Sequence, residues 1–370
     1  MADPRIVKLA KLLVNYSLEI KKGDYMLLEA YDLAAPLILE VFREATKAGA
    51  YVDTNIFLPG ISSIFYKEAS NEQLQYISPY MKFKSENYNA FLMIYGQYNF
   101  KELTNIPSER IQTLAQGTRE INLKMMKRIS DRNDLKWCGT LFPWHGSAQE
   151  AEMSTEEYED FVYEAGNLSL EDPVSAWKEL SSKQQRLCDF MLHKKSIHIL
   201  SENTNLKFDI GGRKWINCDG KENFPDGEIY TCPHVKSVEG HIKFSYPVIL
   251  LGKEINGIYL EFRDGKVVTA HADKGEDFLH SLLDIDEGSR YVGEFGIGTN
   301  YNIEKFTRNI LFDEKIGGTI HIAIGNAFPE AGGDNVSGVH MDMVCDMKVS
   351  GEMYADGELV YTQGRFIKQP

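Results

Sequence analysis

The sequence predicts an α/β protein, in which an N-terminal α/β domain with a mainly parallel sheet precedes a sheet-rich α+β domain. The chain has 370 residues, which is more than one typical domain of roughly 100–150 residues. Its first half alternates between helical and strand periodicity, the pattern of a parallel sheet covered by helices. Near residue 197 this gives way to short apolar segments between Gly, Asp and Asn turns, which is typical of an antiparallel sheet. We therefore predict two domains, residues 1–197 and 198–370.

The spacing of apolar residues defines the elements of the N-terminal domain. Apolar residues three or four positions apart indicate helices, and short apolar runs indicate strands. In chain order the predictions are a helix over Ile6–Leu18, a strand over Tyr25–Glu29, a helix over Leu33–Ala48, strands over Tyr51–Phe57 and Ala90–Tyr95, a helix over Ser108–Arg128 and a strand over Lys136–Phe142.

Two helix starts in the middle of the chain are marked by capping residues. Ser154 with Glu157 three positions later forms a capping box. Asp172 followed by Pro173 supplies an N-cap and a proline at the first helical position. The second of these helices is predicted to run to about Lys195. The strands predicted after it are Ser196–Leu200, Leu206–Ile210, Val248–Leu251 and Val267–Ala270.

Charge and composition exclude several classes of protein. The chain carries 54 acidic and 40 basic side chains, a net charge of −14, and has no Lys- or Arg-rich block, so a nucleic-acid partner is not expected. No apolar run is long enough to cross a membrane, and the N-terminal segment lacks the apolar core of a signal peptide. Five widely spaced cysteines without a CxxC pair indicate reduced thiols, so a cytoplasmic location is predicted.

Two apolar strings place histidines where an unpaired imidazole would be costly. The string GGTIHIAIG, residues 317–325, predicts a strand that carries His321, and VHMDMV, residues 339–344, carries His340 and Asp342. The last two residues share a strand face about 7 Å apart, so they can converge on one ion or on two adjacent ions. A buried histidine beside an aspartate is also common as a simple hydrogen-bonded pair, and these strings alone leave both interpretations open.

Three glutamates in apolar or glycine-rich settings favour a metal site. Glu294 lies among glycines in YVGEFGIGTN, Glu228 follows a Pro-Asp-Gly turn, and Glu314 belongs to the FDEK string before the His321 strand. Singly, each is expected to be a solvated surface residue. Together with Asp342 they make four carboxylates and two imidazoles, the ligand supply of a hydrolytic site with two divalent ions. The four negative charges would balance two such ions, which makes burial of the carboxylates tolerable.

The strings GRKWINCDGKENFPDGEIYTCP, RYVGEFGIGTN, LFDEKIGGTIHIAIGNAFPE and SGVHMDMV resemble the M29 family of metallo-aminopeptidases. The resemblance extends over nearly the whole chain. It implies a hydrolase that removes an N-terminal amino acid from peptides, uses two divalent ions of cobalt, zinc, manganese or magnesium, and forms a homodimer. It also implies a full set of metal ligands on the second domain, namely Glu228, Glu294, Glu314, His321, His340 and Asp342.

The resemblance further implies roles for individual residues. Glu294 looks like the family's carboxylate that bridges the two ions. Apart from the resemblance, two-metal chemistry needs a carboxylate that carries the proton to the leaving amine, and Glu228 or Glu314 is a candidate for this role. Phe328 departs from the family, which has a catalytic tyrosine seven residues after the first histidine. A phenyl ring cannot exchange a proton, so Tyr301 or another donor substitutes, the phenol is dispensable, or activity is low. The alternatives are therefore a weak or inactive metal- or peptide-binding homologue, or a two-metal hydrolase of another amide or ester.

Overall fold

The structure, a computed structural model, describes residues 3–99, 101–250 and 252–367. Its helices are α1 Pro4–Leu12, α2 Ala35–Ala48, α3 Ile61–Glu68, α4 Asn71–Gln75, α5 Pro79–Asn87, α6 Ser108–Ile129, α7 His145–Glu150, α8 Thr155–Ala165, α9 Pro173–Met191, α10 Glu276–Leu283 and α11 Ile310–Asp313. Among the described helices, none is both long and apolar enough to cross a bilayer.

The strands account for most of the regular structure after residue 195. They are β1 Tyr25–Tyr31, β2 Tyr51–Phe57, β3 Ala90–Tyr95, β4 Lys136–Leu141, β5 Ser196–Ser201, β6 Thr204–Asp209, β7 Ile216–Cys218, β8 Asn223–Phe224, β9 Glu228–Thr231, β10 Glu239–Lys243, β11 Val248–Leu250, β12 Lys253–Ile255, β13 Tyr259–Arg263, β14 Lys266–His271, β15 Val292–Gly298, β16 Thr319–Gly325, β17 His340–Asp346, β18 Glu352–Ala355, β19 Glu358–Thr362 and β20 Arg365–Phe366. Leu251, the last residue of one predicted strand, lies outside the described residues.

The chain divides into two compact units. The first comprises Met1–Val174 with Gly220–Phe224, and the second Ser175–Asp219 with Pro225–Pro370. This division falls earlier than the predicted domain boundary after residue 197. The reason is that α9 is tied to the second unit by the Gln184 amide, which donates hydrogen bonds to the carbonyl oxygens of Cys218, at 2.9 Å, and Glu228, at 2.8 Å.

The first unit contains a parallel sheet with the strand order β2-β1-β3-β4-β8. Every pairing in it is parallel, as the alternation of helices and strands predicts, and β8 joins it from a segment far along the chain. The predicted helix over Ile6–Leu18 is shorter than expected, because after Leu12 the backbone widens into a π-turn over Leu13–Ser17. The wider turn buries four of its five side chains.

The second unit contains an eight-stranded and a five-stranded antiparallel sheet, besides the two-stranded pair of β11 and β12. One has the order β14-β13-β10-β6-β5-β18-β19-β20 and the other β17-β16-β15-β9-β7. Apolar side chains from both sheets share one core, in which the rings of Phe208 and Phe295 lie 5.0 Å apart. Cys345 is part of this core, as strand alternation predicts. The predicted fold class, a parallel α/β domain followed by a sheet-rich domain, is confirmed.

Candidate metal centre

One face of the five-stranded sheet in the second unit is polar. Because strand side chains alternate between faces, the residues next to the core residues Phe295 and Ile322 point away from the core. The register places Glu294 opposite Ala323 and Ala323 opposite Asp342. Further cross-strand pairs on this face are Gly298 with Glu228, Gly296 with His321 and Gly325 with His340. Four neighbouring strands therefore direct carboxylates and imidazoles to one place.

Small residues between these side chains make room for them. A Cβ atom on Gly296 would lie 2.0 Å from Cε1 and 2.1 Å from Nε2 of His321. Glycine is therefore required at this position by the close approach of the imidazole, and Ala323 occupies the neighbouring place on β16. The sequence pattern of glycines around Glu294 thus has a steric cause.

His321 forms the centre of a first group of ligand atoms. Its Nε2 lies 3.4 Å from Oε2 of Glu228 and 3.5 Å from Oε1 of Glu294. The imidazole is 1% exposed, and neither of its nitrogens has a hydrogen-bond partner among the described residues. The same holds for Oε2 of Glu228. Buried polar atoms without partners are costly. The two nitrogens of His321 and Oε2 of Glu228 therefore require a partner that the described residues do not supply.

His340 forms the centre of a second group. Its Nε2 lies 3.3 Å from Oε2 of Glu294 and 3.3 Å from Oδ2 of Asp342. Its Nδ1 lies 2.8 Å from the carbonyl oxygen of Asn326. A carbonyl oxygen only accepts, so Nδ1 carries a proton and Nε2 is the nitrogen that faces the carboxylates. Glu294 directs one oxygen to each of the two imidazoles.

The donor atoms fit divalent metal ions. Atoms bound tetrahedrally to one ion at 2.0–2.2 Å lie about 3.3–3.6 Å from one another, and the imidazole-to-carboxylate distances of 3.3–3.5 Å fall in that range. One ligand atom from each of Glu294, His340 and Asp342 lies within 4.8 Å of the other two. Imidazole and carboxylate are ligands of zinc, cobalt and manganese.

A buried lysine borders this cluster, and no pattern in the sequence predicts its burial. Lys315 is 0% exposed, and its ammonium contacts the carboxylate of Glu314, lies 3.6 Å from Oε1 of Glu228 and 4.0 Å from Oδ1 of Asp226. Cys218, Asp226 and Glu228 also offer ligand atoms within 4.8 Å of one another. There, however, the ammonium already supplies the positive charge, so we assign no ion to that group.

Electrostatic interactions in the cluster shift several pKa values. Burial alone would lower the pKa of His321, but the carboxylates of Glu294 and Glu228 raise it to about 10. Burial also opposes the charge on His340, and the carboxylates of Asp342 and Glu294 raise its pKa to about 12. In the metal-free chain, protons on the imidazoles therefore offset the carboxylate charge.

Burial and nearby charges also shift the pKa values of the carboxyl groups. Burial raises the pKa of Glu228 well above its ordinary value, and the Lys315 ammonium opposes this only in part. Burial likewise raises the pKa of Glu314. Asp342 behaves differently, because burial raises its pKa but the His340 and His321 imidazoliums and the Lys315 ammonium together lower it further than burial raises it. The cluster thus contains both ionised and readily protonated carboxyl groups.

Phe328 lies beside the second group of ligands. Its ring centroid is 5.1 Å from that of His340 and 5.3 Å from that of Tyr230. The Tyr301 hydroxyl donates to the carbonyl oxygen of Gly364 at 2.8 Å and is not directed at the cluster. Tyr230 is opposite Gly296 on the polar face, and its hydroxyl lies 3.2 Å from Oε1 of Glu330. Sequence reasoning missed this phenol, although strand alternation from Glu228 would have placed it on the same face.

The structure thus brings together five of the six predicted ligands, which are Glu228, Glu294, His321, His340 and Asp342. Glu314 follows α11, and its carboxylate contacts Lys315. Its pKa also responds to the charges of Asp342 and His321, which places it at the border of the cluster. The assignment of these residues as metal ligands remains a prediction from sequence and geometry.

Comparison with known families decides where the chain belongs. The family model described as thermophilic metalloprotease (M29) matches residues 2–366. The chain belongs to the M29 family. This confirms the predicted family and the class of metal-dependent hydrolases, and it implies a divalent metal for the chain.

A relative named as an aminopeptidase matches most of the chain, and two solved structures share its fold. Aminopeptidase 2 of Geobacillus stearothermophilus is 27% identical over 354 residues, covering 88% of this chain and 84% of the relative. The structure of AmpT from Thermus thermophilus has a TM-score of 0.83 at 23% identity and covers 98% of this chain and 99% of its own. A 2,5-dihydroxypyridine dioxygenase from Pseudomonas putida has a TM-score of 0.60 at 12% identity, over 98% of this chain and 96% of its own. At these identities the two structures show the fold alone.

The close approach at Gly296 generates a test. In Gly296→Ala, the added methyl group would clash with the His321 imidazole, so we expect the imidazole to shift. Metal affinity, measured by isothermal titration calorimetry, is expected to fall about 10- to 100-fold or more. Gly211→Ala is the matched control, because its added Cβ meets its nearest neighbour, Lys195, at an ordinary 3.6 Å. Equal affinities for both variants would show that His321 does not bind metal.

The raised imidazole pKa values determine how metal binding depends on pH. With pKa values of about 10 and 12, both imidazoles are protonated at pH 8 in the metal-free protein. An imidazole must be neutral to bind metal, so binding releases protons and affinity rises with pH, by about tenfold per pH unit for each proton. Titration calorimetry in two buffers of different ionisation enthalpy measures this release. Binding without proton release would contradict the assignment.

Proposed function

We propose that the protein is a metal-dependent aminopeptidase that hydrolyses the N-terminal bond of peptides with two divalent ions. The observation that carries the proposal is the position of Glu294, whose two oxygens face two different imidazoles at 3.5 and 3.3 Å. Such an arrangement supports one ion held by Glu228, His321 and Glu294 and a second held by Glu294, His340 and Asp342. Membership of the M29 family and the similarity to Aminopeptidase 2 of Geobacillus stearothermophilus support the reaction class.

The residues of the cluster have different proposed roles in hydrolysis. Two divalent ions held by these residues would lower the pKa of bound water towards neutrality and would stabilise negative charge on a carbonyl oxygen. Asn326 holds the His340 ring so that Nε2 faces Glu294 and Asp342. Lys315 holds one oxygen of Glu314.

We propose that Glu314 transfers the proton to the leaving amine. Its pKa is raised by burial, so its carboxyl group can take up and release a proton. Glu228 was the other candidate, but its Oε2 faces His321, which supports a role as a ligand. We propose that a carboxylate or an ion of the cluster binds the free α-amino group of the substrate.

Further parts of the proposal rest on the family resemblance. We propose cobalt, zinc, manganese or magnesium as the ions, peptides with a free N-terminus as substrates, a homodimer as the assembly and the cytoplasm as the location. All five cysteines are thiols rather than halves of disulfides, which fits a reducing compartment. For Phe328, we propose that its ring packs against His340 and Tyr230 while catalysis proceeds without a phenol at this position.

A pair of substrates tests the proposed activity. Chelator-treated protein is incubated with cobalt, zinc, manganese or magnesium and with leucine p-nitroanilide or its N-acetylated form. We expect metal-dependent cleavage of the free amine alone. Asp342→Asn removes a proposed ligand and is expected to lower kcat/KM about 100-fold or more, whereas Asp273→Asn, at a side chain 70% exposed, is not.

Other outcomes would identify the alternatives. Cleavage of both substrates would indicate a hydrolase that does not require the free amine. Absence of cleavage with every metal would indicate a non-hydrolytic homologue. Activity that survives prolonged chelation would contradict every metal mechanism.

A further inference from the structure

A small cavity opens beside the second group of ligands in the second unit. Its volume is about 100 Å³, and its wall includes His340 and Asp342. On β17, alternation places Val344 on the same face as these two residues, and Val344 also lines the cavity. A molecule whose reacting bond lies at the ligand cluster would therefore have this cavity as its neighbour.

The remaining walls are mainly apolar and come from two other segments. β11 contributes Val248 and Ile249, and the chain around the start of α11 contributes Phe306 and Ile310. These apolar residues have no role in holding a metal ion. Their position next to His340 indicates a site that recognises an apolar group of the substrate.

Contacts with β17 fix the shape of this cavity. β17 is the edge strand of its sheet, and the backbone N–H of Ser245 donates to the carbonyl oxygen of Val344 at 3.0 Å. The Ser245 hydroxyl accepts from the backbone N–H of Asp346 at 2.9 Å. Phe306 stacks on Tyr246 with ring centroids 4.8 Å apart and planes 8° from parallel. The wall is thus preformed rather than created by the substrate.

We propose that this cavity receives the side chain of the N-terminal residue of the substrate and selects aliphatic side chains of the size of valine, leucine or methionine. The proposal rests on the aminopeptidase activity proposed above. A cavity of about 150 Å³ lined by apolar side chains holds a benzene ring. At about 100 Å³, this one fits a branched or linear chain of three or four heavy atoms better than a phenyl ring.

Charged groups at the cavity do not change this selection. Asp313 lines the cavity, but its Oδ1 accepts hydrogen bonds from the backbone N–H and the hydroxyl of Thr307, at 2.7 and 2.9 Å. Arg308 also lines the cavity, and a guanidinium would favour an acidic side chain. Because the Asp342 carboxylate lines the same cavity, like-charge repulsion opposes an acidic side chain there.

Two variants test the proposal through substrate preference. The substrates are p-nitroanilides of alanine, valine, leucine, methionine, phenylalanine, glutamate and lysine, and the measured quantity is kcat/KM. Wild-type protein is expected to prefer leucine and methionine over alanine by about tenfold or more. Ile310→Trp narrows the opening, so we expect cleavage of the leucine substrate to fall about tenfold while that of the alanine substrate changes little. Phe306→Ala enlarges the cavity and is expected to raise the phenylalanine-to-leucine ratio about tenfold.

Ile285→Trp is the matched control, since Ile285 is 51% exposed and does not line the cavity. Unchanged leucine-to-alanine and phenylalanine-to-leucine ratios in Ile310→Trp and Phe306→Ala would overturn the proposal, as would a preference of the wild type for glutamate. These outcomes differ from failure of the proposed function, in which no free-amine substrate is cleaved. The two variants act on separate walls, so the test does not depend on the folding of either one.

Discussion

The arrangement of the second unit depends on how it tolerates buried charge. Glu228, Glu294 and His321 are each at most 5% exposed, on a sheet whose opposite face lies in the apolar core. Ionised carboxylates in such a place are stable only when positive charge lies close by. Protons on His321 and His340 and the ammonium of Lys315 supply part of it in the metal-free chain.

Divalent ions would complete this balance. The carboxylates of Glu228, Glu294, Glu314 and Asp342 carry four negative charges. Asp226 adds one negative charge and Lys315 one positive charge, so the net charge still matches two doubly charged ions. Glu294 is central because each of its oxygens faces a different imidazole. The small residues Gly296 and Ala323 follow from the same requirement, because they leave the space in which the imidazole and carboxylates meet.

Local patterns in the sequence predicted much of the fold and most of the candidate site. Alternation was sufficient to place His340 and Asp342 on one face of a strand, whereas the pairing of β16 with β17 that brings His321 to the same face is seen only in the folded chain. The burial of Lys315 was not predictable, because Asp226 and Glu228 reach it from strands and turns far away in sequence. The cavity beside β17 was missed for the same reason, since its walls come from segments that only the folded chain brings together. The π-turn after Leu12 has the same apolar spacing as the helix predicted there.

The fold does not determine the chemistry. A dioxygenase shares the architecture at low identity, so the hydrolytic assignment depends on the ligand cluster and on membership of the M29 family. The most direct test is anomalous diffraction from crystals grown with manganese or zinc. Two anomalous peaks are expected, one beside His321 and one beside His340, each in contact with one oxygen of Glu294. A single ion, or two ions without Glu294 between them, would contradict the proposed two-metal centre.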